Sequence, residues 1–327
     1  MKVLLAESIH KLGIDLLKEA AEVKIAKDNS EQSILEEIVD ADALIMRSSP
    51  LPGNVIRQSK KLKVIGKHGG GVDNIDLHAA NEMGVAVINV PDANILSVAE
   101  HTMTVILCLA KKIREAEDAL RSGFFNQQAS LPGMVTKYGF TALELCGKTL
   151  GIVGVGRIGR LTARIARYGF SMDVYGYDPY VSDEEMKGEG VEPVDSIDEI
   201  FRSADFISIH VPLDEYTVNL VNKELISLMK PTAFLINIAR GGIVNEDDLY
   251  KALKSKTIAG AAVDVYEKEP PSPKHPLFEL DNIIVTPHMA AMTDGALIRM
   301  AQDIAQGIIE VLNGRKPKHL INPEIWS

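Results

Sequence analysis

Three side chains with complementary chemistry each follow a short apolar run: Arg240 after Ala233–Ile238, Glu269 after Ile258–Val263, and His288 after Asn282–Val285. In an open parallel sheet, ligands bind in the crevice outside the carboxyl ends of the strands, so the three are expected at one edge. An arginine there can grip a carboxylate with its planar fork and polarise a carbonyl beside it. A histidine, whose ordinary pKa is about 6.5, can give a proton in a reduction and take one in an oxidation. A glutamate bonded to the far ring nitrogen would fix the tautomer and favour the imidazolium. Those are the protein roles needed to move a hydride and a proton on a small 2-hydroxy or 2-oxo acid. Taken singly, each residue is explained as well by a surface charge or a structural histidine. The ordered set carries the expectation.

A hydride also needs a carrier. Gly154-Val155-Gly156-Arg157-Ile158-Gly159 matches G-x-G-x-x-G, follows the apolar run Leu150–Val153 and opens a helical stretch. That context turns a common glycine pattern into a dinucleotide site. Gly154 permits the tight turn, Gly156 lets backbone approach a pyrophosphate, and Gly159 lets helix and strand pack closely. The helix N-terminus adds partial positive charge. Asp178 lies nineteen positions after Gly159, at the end of the next predicted strand. A carboxylate there bonds the adenosine ribose hydroxyls and repels a 2′-phosphate. Pro179 and Tyr180 follow it rather than a cation. NAD is therefore expected, not NADP.

The elements that must hold these residues read as alternating strands and helices. Val3–Ala6, Ala43–Met46, Val64–Ile65 and Val85–Ile88 are predicted strands, with Lys11–Ala20 a helix. The alternation restarts with strands at Thr149–Gly154, Met172–Tyr177, Phe206–Ile209, Ala233–Ile238, Ile258–Val263 and Ile283–Val285, and a helix at Arg157–Tyr168. Such βα alternation argues for an α/β fold with parallel sheets covered by helices. Between the halves, Ser97–Gly123 reads as one long helix, with Ser97 and Glu100 at capping-box spacing. Phe124–Cys146 reads as a long loop, and Asp294–Leu312 as a last helix followed by Gly314.

Composition narrows the partners. A chain of 327 residues exceeds the roughly 250–300 at which single cores stop growing, so two domains are expected. The net charge is −10 and no dense Lys/Arg cluster exists, which argues against nucleic acid and anionic membrane. No run of about 18 apolar residues is present to span a bilayer. The run Lys2–Ala6 is too short for a signal-peptide core. Two cysteines, Cys108 and Cys146, fit a reducing cytoplasm, with Cys108 expected as a buried small apolar residue. No metal is expected.

Several segments resemble one family: Lys67-His68-Gly69-Gly70-Gly71-Val72-Asp73-Asn74-Ile75-Asp76, Asn94–His101, Gly147–Gly154, His210-Val211-Pro212-Leu213, Asn237–Gly242, Asp264–Pro270 and Thr286-Pro287-His288. Together they resemble the D-isomer-specific 2-hydroxyacid dehydrogenases, over nearly the whole chain. The resemblance implies two Rossmann-like or flavodoxin-like domains with parallel sheets, the active site in the interdomain cleft, and a homodimer held by the cofactor domains. Residues 1–97 plus 291–327 would form the substrate-binding domain and 98–290 the NAD-binding Rossmann domain. It implies that Arg240, Glu269 and His288 are the catalytic set. It places NAD contacts on Gly154, Gly156, Arg157, Ile158, Gly159, Asp178, Val211, Pro212, Thr217, Ile238 and Asp264. It places a substrate-carboxylate loop on Gly69, Gly70 and Gly71.

The substrate is expected to be a small anionic acid such as 3-phosphoglycerate, hydroxypyruvate or glyoxylate. A second anionic group would need a further cation, and Arg47, with Ser48 beside it, and Lys67 follow predicted strands. A solvated Lys67 is the plainer alternative. Met289-Ala290-Ala291-Met292 after His288 departs from the small glycines usual in the family. Two other readings stay open: an NAD(H)-regulated, corepressor-like binding protein, and a dehydrogenase of another anion such as a sulfolactate or phosphonate.

Overall fold

A computed structural model describes residues 1–126 and 131–326. The chain divides into two compact units, Met1–Ser97 with Ala291–Ser327, and Val98–Ala290. The first is built on strands β1 (Lys2–Leu5), β2 (Glu22–Ile25), β3 (Ala43–Met46), β4 (Val64–Lys67) and β5 (Ala86–Ile88). All pair in parallel, in the order β2-β1-β3-β4-β5. This is the flavodoxin-like order. Alternate residues serve two cores. Val3, Leu5, Ile45 and Val64 pack with Met300, Ile304 and Ile308 of the helix Asp294–Leu312. Leu4, Leu44, Met46 and Ile65 pack on the other face with Ile34, Ile38, Val55 and Ile56. A strand covered on both sides must be apolar at every position, which is why ALIM at 43–46 reads as a continuous run.

The second unit holds β6 (Thr149–Val153), β7 (Asp173–Tyr177), β8 (Glu192–Pro193), β9 (Phe206–Ile209), β10 (Phe234–Asn237), β11 (Gly260–Val263) and β12 (Ile283–Val285). They too are all parallel, in the order β12-β11-β10-β9-β6-β7-β8. From β6 the chain winds outward through β7 and β8, then returns to lay β9 on the other side. That is the doubly wound Rossmann pattern, and its switch point lies between β6 and β9. Ile207, Ile209, Leu235, Ala261 and Val263 carry one core of this sheet, with Phe201, Leu225, Leu249 and Leu253 from the helices over it.

Several local expectations are corrected. The stretch 97–123 is two helices, Ile95–Lys111 and Ile113–Arg121, broken at Lys112, whose φ is +52°. A left-handed residue cannot continue an α-helix, and nothing in the lysine side chain announces it. Ser97 is inside the first helix and not at its cap; its hydroxyl meets Thr293 Oγ1 at 2.7 Å. The loop 124–146 contains a helix, Leu131–Lys137, and an edge-to-face cluster of Phe124, Phe125, Tyr138 and Phe140; its residues 127–130 lie outside the described ones. The helix expected over 157–168 is α-helical to Arg164 and then widens into a π-turn, Ile165–Gly169. Cys108, expected to be buried, is half-buried, and Cys146 is exposed.

Candidate active site

The glycine turn follows β6 at the switch point. Gly154 has φ +95°, and a Cβ there would lie 2.8 Å from the carbonyl carbon of His210, so the turn can nest on the residue after β9 only as glycine. Gly159 is as constrained, since its Cβ would overlap the Gly154 carbonyl. Gly156 differs: a Cβ there meets nothing within 4 Å. Open space over an exposed glycine at the N-terminus of the helix Arg157–Arg164 is what a pyrophosphate against backbone N–H groups needs. Asp178 follows β7. Its Oδ2 accepts the Val155 N–H at 2.8 Å and its Oδ1 the Tyr180 N–H at 2.9 Å, which fixes the carboxylate beside the glycine turn. These residues fit a dinucleotide.

The other residues expected at the cofactor divide by what their side chains do. Arg157 is exposed, and Ile158 and Val211 are half-buried. Ile238 is buried. The Thr217 hydroxyl donates to Pro212 O at 2.6 Å and also lies within bonding distance of Asp214, closing the turn 212–217 on itself. Asp264 is 1% exposed. Its Oδ1 accepts from the Thr286 hydroxyl at 2.6 Å and Met289 N at 2.9 Å, and its Oδ2 from Ala290 N at 2.9 Å. The Asp264 carboxylate thus folds the turn that carries His288. The His288 N–H donates to Asp264 O at 2.7 Å, and His288 has φ +50°.

Arg240, Glu269 and His288 are held by one unit, past the carboxyl ends of β10, β11 and β12. The Asn237 side chain, 3% exposed, donates to Arg240 O at 3.0 Å and accepts the Ala239 N–H at 3.2 Å, shaping the arginine's turn. Glu269 Oε2 and His288 Nδ1 are 2.8 Å apart, with the side chains 35% and 40% exposed. That bond leaves Nε2 as the outward ring nitrogen. Burial alone would raise the Glu269 carboxyl. The hydrogen bond and charge of His288, the Tyr266 N–H at 3.2 Å and the Arg240 charge outweigh it and hold the group below its usual range. The Arg240 charge is therefore felt at the glutamate that the histidine bonds.

In the first unit, Lys67 is buried. Its Nζ donates to Asn74 Oδ1 at 2.6 Å and to the Arg47 carbonyl. Asn74 Nδ2 donates to Ser49 O at 2.7 Å. Lys67 is thus not the solvated side chain of the plainer alternative; it anchors the backbone that carries Arg47. Arg47 is half-buried, with its guanidinium 3.4 Å from Ser8 O, and Ser48 is exposed. Gly69 has φ +153° and donates its N–H to Lys67 O at 2.9 Å; Gly70 and Gly71 are half-buried beside it. Between them and Lys67 sits His68, its ring pushed down to about 4 by burial and by the Arg47 and Lys67 charges.

Sequence reasoning gave no role to Asn74, Asn237 and Tyr266, though all three lie in the resembling segments; they touch the expected residues from behind. Asn237 puts a polar side chain inside the otherwise apolar predicted strand Ala233–Ile238, the one available signal. Among the described residues, no three His, Cys, Asp or Glu side chains gather as a metal site, and no helix is long and apolar enough to cross a membrane.

Known proteins share both sequence and architecture with this chain. The family model "D-isomer specific 2-hydroxyacid dehydrogenase, NAD binding domain" matches residues 103–290. A D-3-phosphoglycerate dehydrogenase of Methanocaldococcus jannaschii is 42% identical over 98% of this chain, which covers 59% of that protein. A glyoxylate reductase of Thermococcus onnurineus is 37% identical over 100% of this chain and 97% of its own length. The crystal structure of NAD-dependent formate dehydrogenase from Staphylococcus aureus in complex with NAD superposes with a TM-score of 0.85 at 30% identity, over 98% of this chain and 99% of that one. The chain spans about three fifths of the length of the phosphoglycerate dehydrogenases it matches.

Proposed function

The chain belongs to the D-isomer specific 2-hydroxyacid dehydrogenase family, and from that premise we propose that it interconverts a small 2-hydroxy acid and its 2-oxo acid, with NAD carrying the hydride. The observation that carries this reading is the 2.8 Å pair of Glu269 and His288, with the Arg240 charge acting on the same glutamate. Gly154–Gly159, Asp178 and the residues after β9 and β10 would hold the dinucleotide, whose nicotinamide would supply or accept the hydride. In reduction, Arg240 binds the substrate carboxylate and draws electron density toward the carbonyl oxygen. His288 Nε2 gives that oxygen its proton, because Nδ1 is engaged by Glu269. Glu269 orients the ring and balances the positive charge of its protonated form.

We assign residues 98–290 as the NAD-binding domain and 1–97 plus 291–327 as the substrate-binding domain, with Gly70 and Gly71 as N–H donors to the substrate carboxylate. If the substrate carries a second anionic group, Arg47 is the cation for it, since Lys67 serves the backbone beneath. Exposed Leu120, Phe124 and Leu131 on the segment after the helix break support a homodimer, readable by light scattering. Glyoxylate, hydroxypyruvate, phosphohydroxypyruvate, pyruvate and sulfopyruvate, each tested for NADH oxidation, check the function. At least one should turn over, and Arg47→Ala should raise KM only for the doubly charged acids. Absence of turnover across the panel would overturn the assignment.

A further inference from the structure

Tyr266 touches the backbone or side chain of all three segments that carry the proposed chemistry. Its N–H donates to Glu269 Oε1 at 3.2 Å. Its hydroxyl donates to Thr286 O at 3.0 Å, two residues before His288. Its carbonyl lies so close to Gly241, next to Arg240, that a Cβ at Gly241 would overlap it. The side chain is 5% exposed, with the ring edge-on to His275 at 5.8 Å and to Phe278 at 5.9 Å.

His275 is itself fastened. Its Nε2 lies 2.9 Å from Glu246 Oε2, and Glu246 Oε1 accepts the Glu267 N–H at 2.8 Å. Glu267 Oε1 accepts the Glu246 N–H in return at 3.2 Å. The helix Glu246–Lys254 therefore clasps the residue after Tyr266, while its ring is wedged against the imidazole held by the same glutamate.

We propose that Tyr266, seated by the Glu246–His275 pair, is a positioning residue that keeps the Arg240, Glu269 and His288 segments in register. The claim rests on the dehydrogenase reading for its kinetic consequence, though not for its structural one. The hydroxyl is well placed to act as a donor throughout the working range, because burial, with the charges of Asp264, Glu246 and Glu269, pushes the phenol up to about 12. Thr286 is the last residue before Pro287 and His288, so the hydroxyl restrains the histidine from one side while Asp264 restrains it from the other. Glu269, in turn, is aimed by the N–H of the same tyrosine.

Tyr266→Phe keeps the ring and its packing and removes only the bond to Thr286 O. The expected result is a fall in kcat of about fivefold, the effect of one ordinary hydrogen bond, with KM for NADH unchanged. The acidic limb of the kcat/KM profile should move to higher pH, because a loosened His288 no longer holds the Glu269 carboxyl down. In a Glu269→Gln background the same substitution should cost far less, since the pair it positions is already broken. A second readout needs no turnover. The far-downfield proton resonance of His288 Nδ1–H, identified by its loss in His288→Ala, should be weakened or displaced in Tyr266→Phe. An unmoved resonance and an unmoved pH profile in a folded variant would overturn the positioning role. A displaced resonance in a protein inactive on every 2-oxo acid would leave the positioning intact and reject the dehydrogenase reading instead.

Discussion

At the scale of single residues, the role of each carboxylate depends on what it is bonded to. Asp178 and Asp264 both follow strands of the same sheet, and sequence alone treats them alike as cofactor contacts. The structure separates them. Asp264 is buried and holds the His288 turn with three bonds, whereas Asp178 accepts two backbone N–H groups beside the open glycine turn. A carboxylate so fixed is placed to accept ribose hydroxyls and to repel a 2′-phosphate. Asp178→Ala should therefore raise KM for NADH while relaxing the preference against NADPH, about tenfold or more in the ratio of kcat/KM values. Steady-state kinetics with the two cofactors measures it, and an unaltered ratio would remove Asp178 from the site. Lys67 gives the opposite lesson. Its type and place suggested a ligand for a second anion, yet its ammonium is turned inward to Asn74 and the Arg47 carbonyl. Nothing local in Lys67-His68-Gly69 tells a lysine that binds substrate from one that anchors a neighbouring loop.

Elements were legible in proportion to how completely they are buried. Ala43–Met46, Phe206–Ile209 and Ile283–Val285 have the expected limits because sheets covered on both faces require unbroken apolar runs. The edge strand Glu22–Ile25, mostly exposed, and the two-residue β8 carry no such run and were invisible. The break at Lys112 was equally hidden, since neither Gly nor Pro marks it. The glycine turn was legible in full because each glycine has its own geometric cause. Two of them face backbone, and Gly156 alone faces open space. This difference is testable. Gly156→Ala should fold with an unaltered melting temperature, because a Cβ there meets no protein atom within 4 Å. It should weaken NADH binding by about tenfold or more, which corresponds to roughly 1.4 kcal/mol. Fluorescence titration checks it; tight binding by the alanine variant would place the pyrophosphate elsewhere.

Across the whole molecule, each compact unit contains a histidine kept neutral by burial: His68 in the first, His210 in the second, both pushed down to about 4. In the unfolded chain such rings titrate at about 6.5. Between those values the unfolded state binds the extra protons, so stability is full above about pH 6.5 and falls as the pH drops toward about 4. Urea midpoints should accordingly hold steady from about pH 8 to 7 and decline below about 6.5. His210→Gln, which retains a polar partner for Ser208, should flatten that decline. A midpoint independent of pH down to about 5 would show that neither ring stays neutral in the native state.

On this reading a hydride passes to a carbonyl carbon while His288 protonates its oxygen. C4-deuterated NADH tests it most directly. With the 2-oxo acid that the panel selects, the wild-type protein should deliver deuterium to C2 of the hydroxy acid formed from one C4 face of the cofactor. His288→Ala should do so about 10²- to 10⁴-fold more slowly, with NADH still bound. Deuterium lost to water, or a His288→Ala variant as fast as the wild type, would contradict the account.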